Sequence, residues 1–252
     1  LAGVNQVGIG LETDFTLTRV TVEQRPTAVV VAADGRTAVV ANTFADSISL
    51  LDIEQAKLVR TIPLGARRKP NQVERGELLF YDARLALDGW FSCHSCHTDG
   101  HSNGLLTDNR SDGSFGAAKR VLPLGGVADT APWAWNGRQE SLAAQVRSSV
   151  EVTMQGNSLP DEDIAALVEY VKILEPPPSL TAARSQQEQE TESEREIAAG
   201  AKLFAARGCV NCHEPPTYTP AAEYDARLED KLGKRHYNPH SLRGVSQRAA
   251  RC

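Results

Sequence analysis

The sequence predicts a mainly α-helical protein, in which two small helical domains follow a short β segment. Residues 1–66 show short apolar strands separated by turn residues, with a repeat of about 40 residues. From about residue 71 onward, apolar residues recur at helical spacing instead. Two similar cysteine–histidine motifs lie in this second part, and a similar predicted helix precedes each of them in the chain. We therefore expect three units, at residues 1–66, 71–178 and 190–252, the last of them truncated.

The β segment resembles the YVTN-type β-propeller repeat. Strands are predicted around residues 29–31, 38–42, 47–53 and 58–62, and the end of a preceding unit lies around 19–22. A propeller closes with about 4–8 blades, and this segment holds about one and a half. We expect it to be a remnant of a longer polypeptide, the alternative being that these strands pack elsewhere.

Composition and charge exclude several classes of function. Of the 252 residues 41 % are hydrophobic, which suits a packed core, and the formal net charge of -5 argues against nucleic acid or an anionic membrane as partner. No apolar run approaches the roughly 20 residues that span a bilayer. The chain begins at Leu1 rather than Met, so we expect its start to have been removed, by export or because it is a piece of a longer protein.

Four of the five cysteines form two CxxC pairs, each followed directly by histidine, which is the pattern of c-type haem attachment. On one helical turn, side chains at i, i+3 and i+4 share a face, so two thiols can reach the porphyrin vinyl groups while the imidazole binds iron. The second imidazole nitrogen should then donate to a backbone carbonyl. We expect two covalently bound haem c groups and a periplasmic or cell-surface location, where bacteria attach haem. Cys93 and Cys96 are expected to attach the first haem, with His97 as its iron ligand. Cys209 and Cys212 are expected to attach the second, with His213 as its iron ligand.

The alternative for the four cysteines is a structural zinc site. Zinc does not require the histidine that follows both pairs, and the pairs lie far apart in the sequence. Haem is therefore favoured. Cys252 is left over as an odd thiol.

A Gly-x-x-x-Phe pattern precedes each motif, at Gly76 with Phe80 and at Gly200 with Phe204. The glycines would allow close helix packing and the phenylalanines would lie beside the porphyrin, whereas the plain alternative is two ordinary amphipathic helices. Between the motifs, residues 161–174 predict a helix with acidic residues in its first turn. The mostly acidic run 185–196 predicts a solvated linker or an exposed helix face.

Other side chains are candidate sixth ligands of the iron. Met154 is the only methionine, and thioether is a familiar haem ligand, although packing is the more frequent role of a methionine. His236 and His240 follow the second motif, and for each a surface or loop position is favoured over ligation. His94 is expected to face outward and His101 to have a polar loop role.

Residues 129–156, DTAPWAWNGRQESLAAQVRSSVEVTMQG, resemble the bacterial dihaem cytochrome c peroxidase and MauG superfamily. The NPHSLRG segment near the end of the chain looks like the Pro-x-Leu-Arg-Asn segment of that family. The resemblance covers about residues 71–252. It implies two cytochrome c-like domains that face each other, and a small redox donor protein as partner, such as a monohaem cytochrome or a cupredoxin. It also gives Trp135 the role of electron relay between the haems, whereas the plain alternative is an ordinary buried tryptophan.

The sequence departs from that family on the distal side of the first haem. The family's distal histidine has no counterpart between His101 and His213, and its distal acid aligns with Thr153. Glu151 would replace that acid only after a loop shift, and loss of a positioned general acid–base lowers a rate by roughly 10²–10⁴. In that family the sixth ligand of the second haem lies beyond the Leu-Arg-Asn segment, at a position that would follow Cys252 here. Asp129 aligns with a family residue that helps to hold calcium between the domains, so the resemblance implies calcium, although the partner segment of that site is degraded or absent here.

The favoured hypothesis is an exported dihaem c-type cytochrome, a peroxidase-like oxidoreductase that passes electrons from haem 2 to haem 1. Its alternative is a non-catalytic electron carrier in which both haems are six-coordinate. In a third hypothesis the β segment binds a partner and the haem domains serve it.

Overall fold

The computed structural model describes residues 1–176, 190–227 and 229–245, except positions 12, 14–15, 67, 109, 111–112 and 114–115, and it gives only the backbone of residues 190–193. Within these residues a β part is followed by a part with short helices and long loops. None of the described helices is both long and apolar enough to cross a membrane.

The β part consists of a hairpin and a four-stranded sheet. Strand β1 (Gln6–Gly10) pairs with β2 (Leu17–Thr21), and the sheet is an antiparallel meander in the order β3 (Pro26–Val31), β4 (Thr37–Asn42), β5 (Ser47–Asp52) and β6 (Lys57–Pro63). The alternating side chains of β4 and β5 bury Val40 and Leu51, and Val20 of the hairpin packs against them. The four predicted strands are confirmed, but a β-propeller is not.

The second part is organised around short helices joined by irregular loops. The helices are α1 (Gln72–Phe80), α2 (Cys93–Cys96), α3 (Leu142–Ser148), α4 (Asp161–Lys172) and α5 (Glu190–Ala206). A π-helical turn, Ser149–Thr153, continues α3. Two short ladders pair β7 (Leu106–Thr107) with β8 (Lys119–Arg120), and β9 (Tyr224–Asp225) with β10 (His236–Tyr237). Because the β part is substantial, the mainly helical class describes the second part better than the whole chain.

Helices α1 and α4 form the central contact of the second part. Asn71 caps α1 in a reciprocal capping box with Glu74. At Gly76 the helices approach so closely that an added Cβ would lie 2.0 Å from the carbonyl oxygen of Ala166. Phe80, at the end of α1, is 1 % exposed and packs against Leu167 of α4. The close packing predicted for Gly76 and the helix predicted at 161–174 are therefore confirmed, although the helix ends at Lys172.

The acidic run at 185–196 lies only partly within the described residues. Residues 177–189 are outside them, and 190–196 form the first turns of α5. The side chains of residues 194–196 are exposed, which agrees with the exposed helix face as one of the two predictions. Gly200, the counterpart of Gly76, has open space around it.

The β part is attached to the helical part by an aromatic contact. The guanidinium of Arg25 lies 3.3 Å from the ring centroid of Tyr81 and 4.8 Å from that of Phe44. Tyr81 in turn contacts the rings of Phe80 and His94. The sheet is thereby anchored directly beside the first cysteine–histidine motif.

Candidate haem sites

A cavity of about 240 Å³ lies beside α2 and contains the first motif. Cys93, Cys96 and His97 line it together. The remaining wall near the motif is largely apolar and comes from α1, α3 and α4 and from the loops before α2 and after α3, with Phe80, Phe91, Leu142, Val146, Val150, Met154, Leu167 and Val171. Helical packing therefore brings an apolar chamber to the motif, as a porphyrin requires.

The local fold of the first motif is a short capped helix. Ser92 and Ser95 form a reciprocal cap at its start, and the backbone N–H of His97 donates to the carbonyl of Cys93 at 2.8 Å. Burial raises the pKa of Cys93 to about 12 and also raises the pKa of Cys96. Burial lowers the pKa of His97 to about 4, so this ring is neutral at physiological pH, the form in which imidazole binds metals.

The second ring nitrogen of His97 does not make the contact expected from the sequence. Its Nδ1 is buried and has no hydrogen-bond partner among the described residues, so the expected donation to a backbone carbonyl is not formed at the first motif. The fit to a haem rests instead on the chemistry of the residues that line the cavity. The two thiols, the neutral imidazole and the apolar chamber together fit a covalently held haem.

The second motif forms a 3₁₀ turn, Cys209–Asn211, after α5. The backbone N–H of His213 donates to the carbonyl of Cys209 at 3.0 Å, as in the first motif. The Nδ1 of His213 lies 3.0 Å from the carbonyl oxygen of Tyr218. An N–H at this position donates to the carbonyl and leaves Nε2 with its lone pair, which is the arrangement of an axial haem ligand. Phe204 lies edge-on to Tyr218 at 6.2 Å between centroids.

Trp135 lies between the two motifs in a tight turn. The backbones of Trp133 and Gln139 pair and close the turn, and Gly137 at its end has a φ of 62°, which glycine adopts readily. The indole N–H of Trp135 donates to the carbonyl of Arg120 at 3.1 Å, and the residue lines the first cavity. The placement agrees with that predicted for a relay; the relay role itself stays a prediction.

Met154 and Thr153 both line the first cavity, whereas Glu151 does not. Met154 is 4 % exposed. Ser158 donates to Glu151 at 2.7 Å, and Arg147 lies 3.6 Å from the same carboxylate. The substitution of Glu151 for a distal acid is therefore not realised, and the described wall of this cavity contains no aspartate or glutamate.

The other predicted histidines separate into two groups. His101 and His236 are exposed, and His94 is half-buried against Tyr81 with its Nε2 3.1 Å from Asp99. His240 lies in a loop, as predicted, but it is half-buried and lines the first cavity.

Comparison with known proteins agrees with this geometry. Residues 70–194 match the family model of the di-haem cytochrome c peroxidases. The resemblance to this family that the sequence indicated is thereby confirmed. A relative, the methylamine utilization protein MauG of Methylorubrum extorquens, is 29 % identical over 206 residues, which cover 69 % of this chain and 58 % of MauG. The chain thus spans less than two thirds of that relative's length. A structure of hydrazine synthase from Kuenenia stuttgartiensis under 20 bar of xenon matches with a TM-score of 0.61 at 18 % identity, covering 77 % of this chain and 85 % of that one.

The calcium expected from the peroxidase resemblance has no support in the structure. Both carboxylate oxygens of Asp129 accept from Arg243, at 2.6 and 3.0 Å, and this contact holds the pKa of Asp129 below its usual range. Arg243 also donates to the carbonyl of Gly126 at 3.2 Å. In the part of the chain that the structure describes, no three His, Cys, Asp or Glu side chains are grouped to hold a metal ion, so the alternative zinc cluster is not formed either.

The sequence did not predict the contacts that join the surroundings of the first motif to those of the second. Arg243 with Asp129 is one, and the ion pair of Lys119 with Asp230 at 3.4 Å is another, with both of its side chains 10 % exposed. Nothing in the local sequence marks such pairs, because the partners are more than a hundred residues apart. Gln145 also lines the first cavity, and its buried Oε1 has no partner among the described residues.

Proposed function

We propose that this chain is an exported di-haem c-type cytochrome, a peroxidase-like oxidoreductase in which electrons pass from the second site to the first. One observation supports this most strongly. The cavity that contains Cys93, Cys96 and His97 also contains Trp135, on the side that faces the second motif. The match to the family model supports the same class.

At the first site, Cys93 and Cys96 would hold the haem through thioether bonds and His97 would bind its iron. When bound, the haem would supply one-electron redox chemistry. The chain contributes the apolar wall of Phe80 and Leu167, which would exclude water from the group. At the second site Cys209, Cys212 and His213 have the same roles, and the carbonyl of Tyr218 orients the imidazole.

The distal side of the first cavity limits the reaction with peroxide. The polar groups that α3 and its π-helical turn contribute to the cavity wall are Gln145, Ser149 and Thr153, none of which is an acid or base near neutral pH. His240 lines the same cavity, but on the side of Trp135. A positioned general acid–base contributes roughly 10²–10⁴ in rate, so we expect turnover of hydrogen peroxide to be slower by about that factor than with such a group.

The position of Met154 in the first cavity favours a second candidate function, that of a non-catalytic electron carrier. Met154 is buried in the first cavity, and a thioether ligand there would make the iron six-coordinate and raise its potential. The two functions differ in the oxidised protein, because an open first site gives a high-spin ferric EPR signal whereas the carrier gives two low-spin signals.

The test is to produce the chain in a bacterium with the c-type haem attachment system and to count haem by intact mass and by the pyridine haemochrome spectrum. Two covalent haems per chain are expected. The variants Cys93→Ala/Cys96→Ala and Cys209→Ala/Cys212→Ala serve as matched controls, and each should retain one. Protein without covalent haem would refute the proposal.

Export and a redox partner belong to the same proposal. Attachment of haem to CxxCH occurs outside the bacterial cytoplasm, which supports a periplasmic or cell-surface location. A small redox donor protein, either a monohaem cytochrome or a cupredoxin, would deliver electrons to the second site. Titration of the reduced donor into the oxidised protein, followed at the Soret bands, tests this role.

A further inference from the structure

The ring of His240 contacts residues of both sites. Its ring lies 5.3 Å from the ring of Trp135, at an interplanar angle of 63°, and 6.5 Å from the ring of His213, at 75°. Both are edge contacts between ring centroids within the range in which aromatic pairs attract each other. Three rings thus follow one another from the wall of the first cavity to the imidazole of the second motif.

Hydrogen bonds on both sides hold the loop that carries His240 in place. On the side of the first site, the backbone N–H of Asn238 donates to the carbonyl of Trp135 at 2.9 Å. On the side of the second site, the buried side-chain amide of Asn238 donates to the carbonyl of Pro220 at 2.9 Å, and Ser241 donates to that of Thr217 at 2.6 Å. The position of the ring is therefore set by the backbone of both halves.

We propose that His240 is a positioning residue shared by the two haem sites, which keeps the rings of Trp135 and His213 in one continuous path. This inference rests on the proposed function, since it requires a haem at each site. His213 is oriented by the carbonyl of Tyr218 on its Nδ1 and by His240 on its ring. Removal of His240 takes away one of these two constraints and opens a gap in the path.

The redox step that uses this path is balanced without further reactants. One electron leaves the site of His213, which is oxidised, and arrives at the site of His97, which is reduced, and no bond is formed or broken. Dithionite supplies the first electron in the experiment. His240 need not change protonation for the path to exist, since the ring contacts are present in either form.

The experiment compares the parent with His240→Leu, which removes the ring, and with His240→Phe, which retains one. His236→Leu is the matched control, because this histidine lies on the same segment and is exposed. Each haem-loaded protein is first checked for two covalent haems. It is then reduced with one electron equivalent, and the redistribution of that electron between the sites is followed by freeze-quench EPR.

We expect His240→Leu to slow the redistribution by roughly tenfold or more, about 1.4 kcal/mol in activation free energy, and to shift the EPR signal of the His213 site. His240→Phe and His236→Leu should keep the parent rate. An unchanged rate in His240→Leu with both haems present would overturn the inference, as would a rate in His240→Phe as low as in His240→Leu. Conversion of either site from low to high spin in His240→Phe would show that His240 is an iron ligand, and would overturn it too. Absence of haem from the parent would instead refute the proposed function.

Discussion

Substitution of Gly76 by alanine tests how α1 and α4 build the wall of the first site. An added Cβ would lie 2.0 Å from the carbonyl oxygen of Ala166 and 2.7 Å from the Cβ of Tyr170. The first of these is a backbone atom, so the contact is relieved only if the two helices move apart. Overpacking costs about 1–3 kcal/mol, and a backbone clash belongs at the upper end of that range. Alanine recovers about 1 kcal/mol of helix propensity, which leaves a net loss of about 2 kcal/mol.

Gly200 provides the matched control, because it has the same place in the second Gly-x-x-x-Phe pattern. Nothing lies within 4 Å of a Cβ built on it, so Gly200→Ala should stabilise α5 by up to about 1 kcal/mol. The measurement is thermal unfolding of the haem-loaded protein by circular dichroism. A loss of 2 kcal/mol lowers Tm by roughly 4–8 °C in a protein of this size.

The two substitutions should therefore change the stability of the protein in opposite directions. A Gly76→Ala protein as stable as the parent would refute the close packing of α1 on α4. Loss of stability in Gly200→Ala would refute the open surroundings assigned to the second pattern.

Three further predictions concern groups of the site. The pKa of Asp129 is lowered by Arg243, so the stabilisation from this pair is present above the unfolded pKa of about 3.9 and is lost as pH falls through the folded value. Arg243→Met should remove this acid dependence of the free energy of unfolding, measured in unfolding curves from pH 3 to 7. The effect should be at most about 1 kcal/mol, because Asp129 is largely exposed. A calcium chelator should leave Tm unchanged. Glu151→Gln should leave the rate of reaction with hydrogen peroxide unchanged in stopped-flow spectra, because this side chain lies outside the cavity wall; a fall of about a hundredfold would contradict the assignment. Met154→Ala should cost about 2 kcal/mol in denaturant unfolding, since the side chain is buried but already borders a cavity, and no loss would contradict its packing.

Much of the local structure follows from the sequence alone. An apolar run predicted a strand at 38–42 and alternation predicted one at 47–53, and the structure has strands at Thr37–Asn42 and Ser47–Asp52. Helical spacing with an acidic first turn predicted α4. The CxxCH pattern places two thiols and an imidazole on one turn wherever it occurs. The residues of both candidate haem sites could therefore be identified from the sequence alone. The resemblance to the di-haem cytochrome c peroxidase family was likewise recognised from the segment around Trp135, and the match to the family model confirms it.

Tertiary structure decided what surrounds those residues. The family resemblance left Glu151 as a candidate distal acid and implied a calcium ion at Asp129. In the structure, Glu151 accepts from Ser158 and Asp129 pairs with Arg243. It also distinguished His240 from His236, which the sequence treated alike. These outcomes depend on contacts between residues far apart in the chain, and a local pattern carries information about its own turn or strand but none about which distant side chain will lie against it.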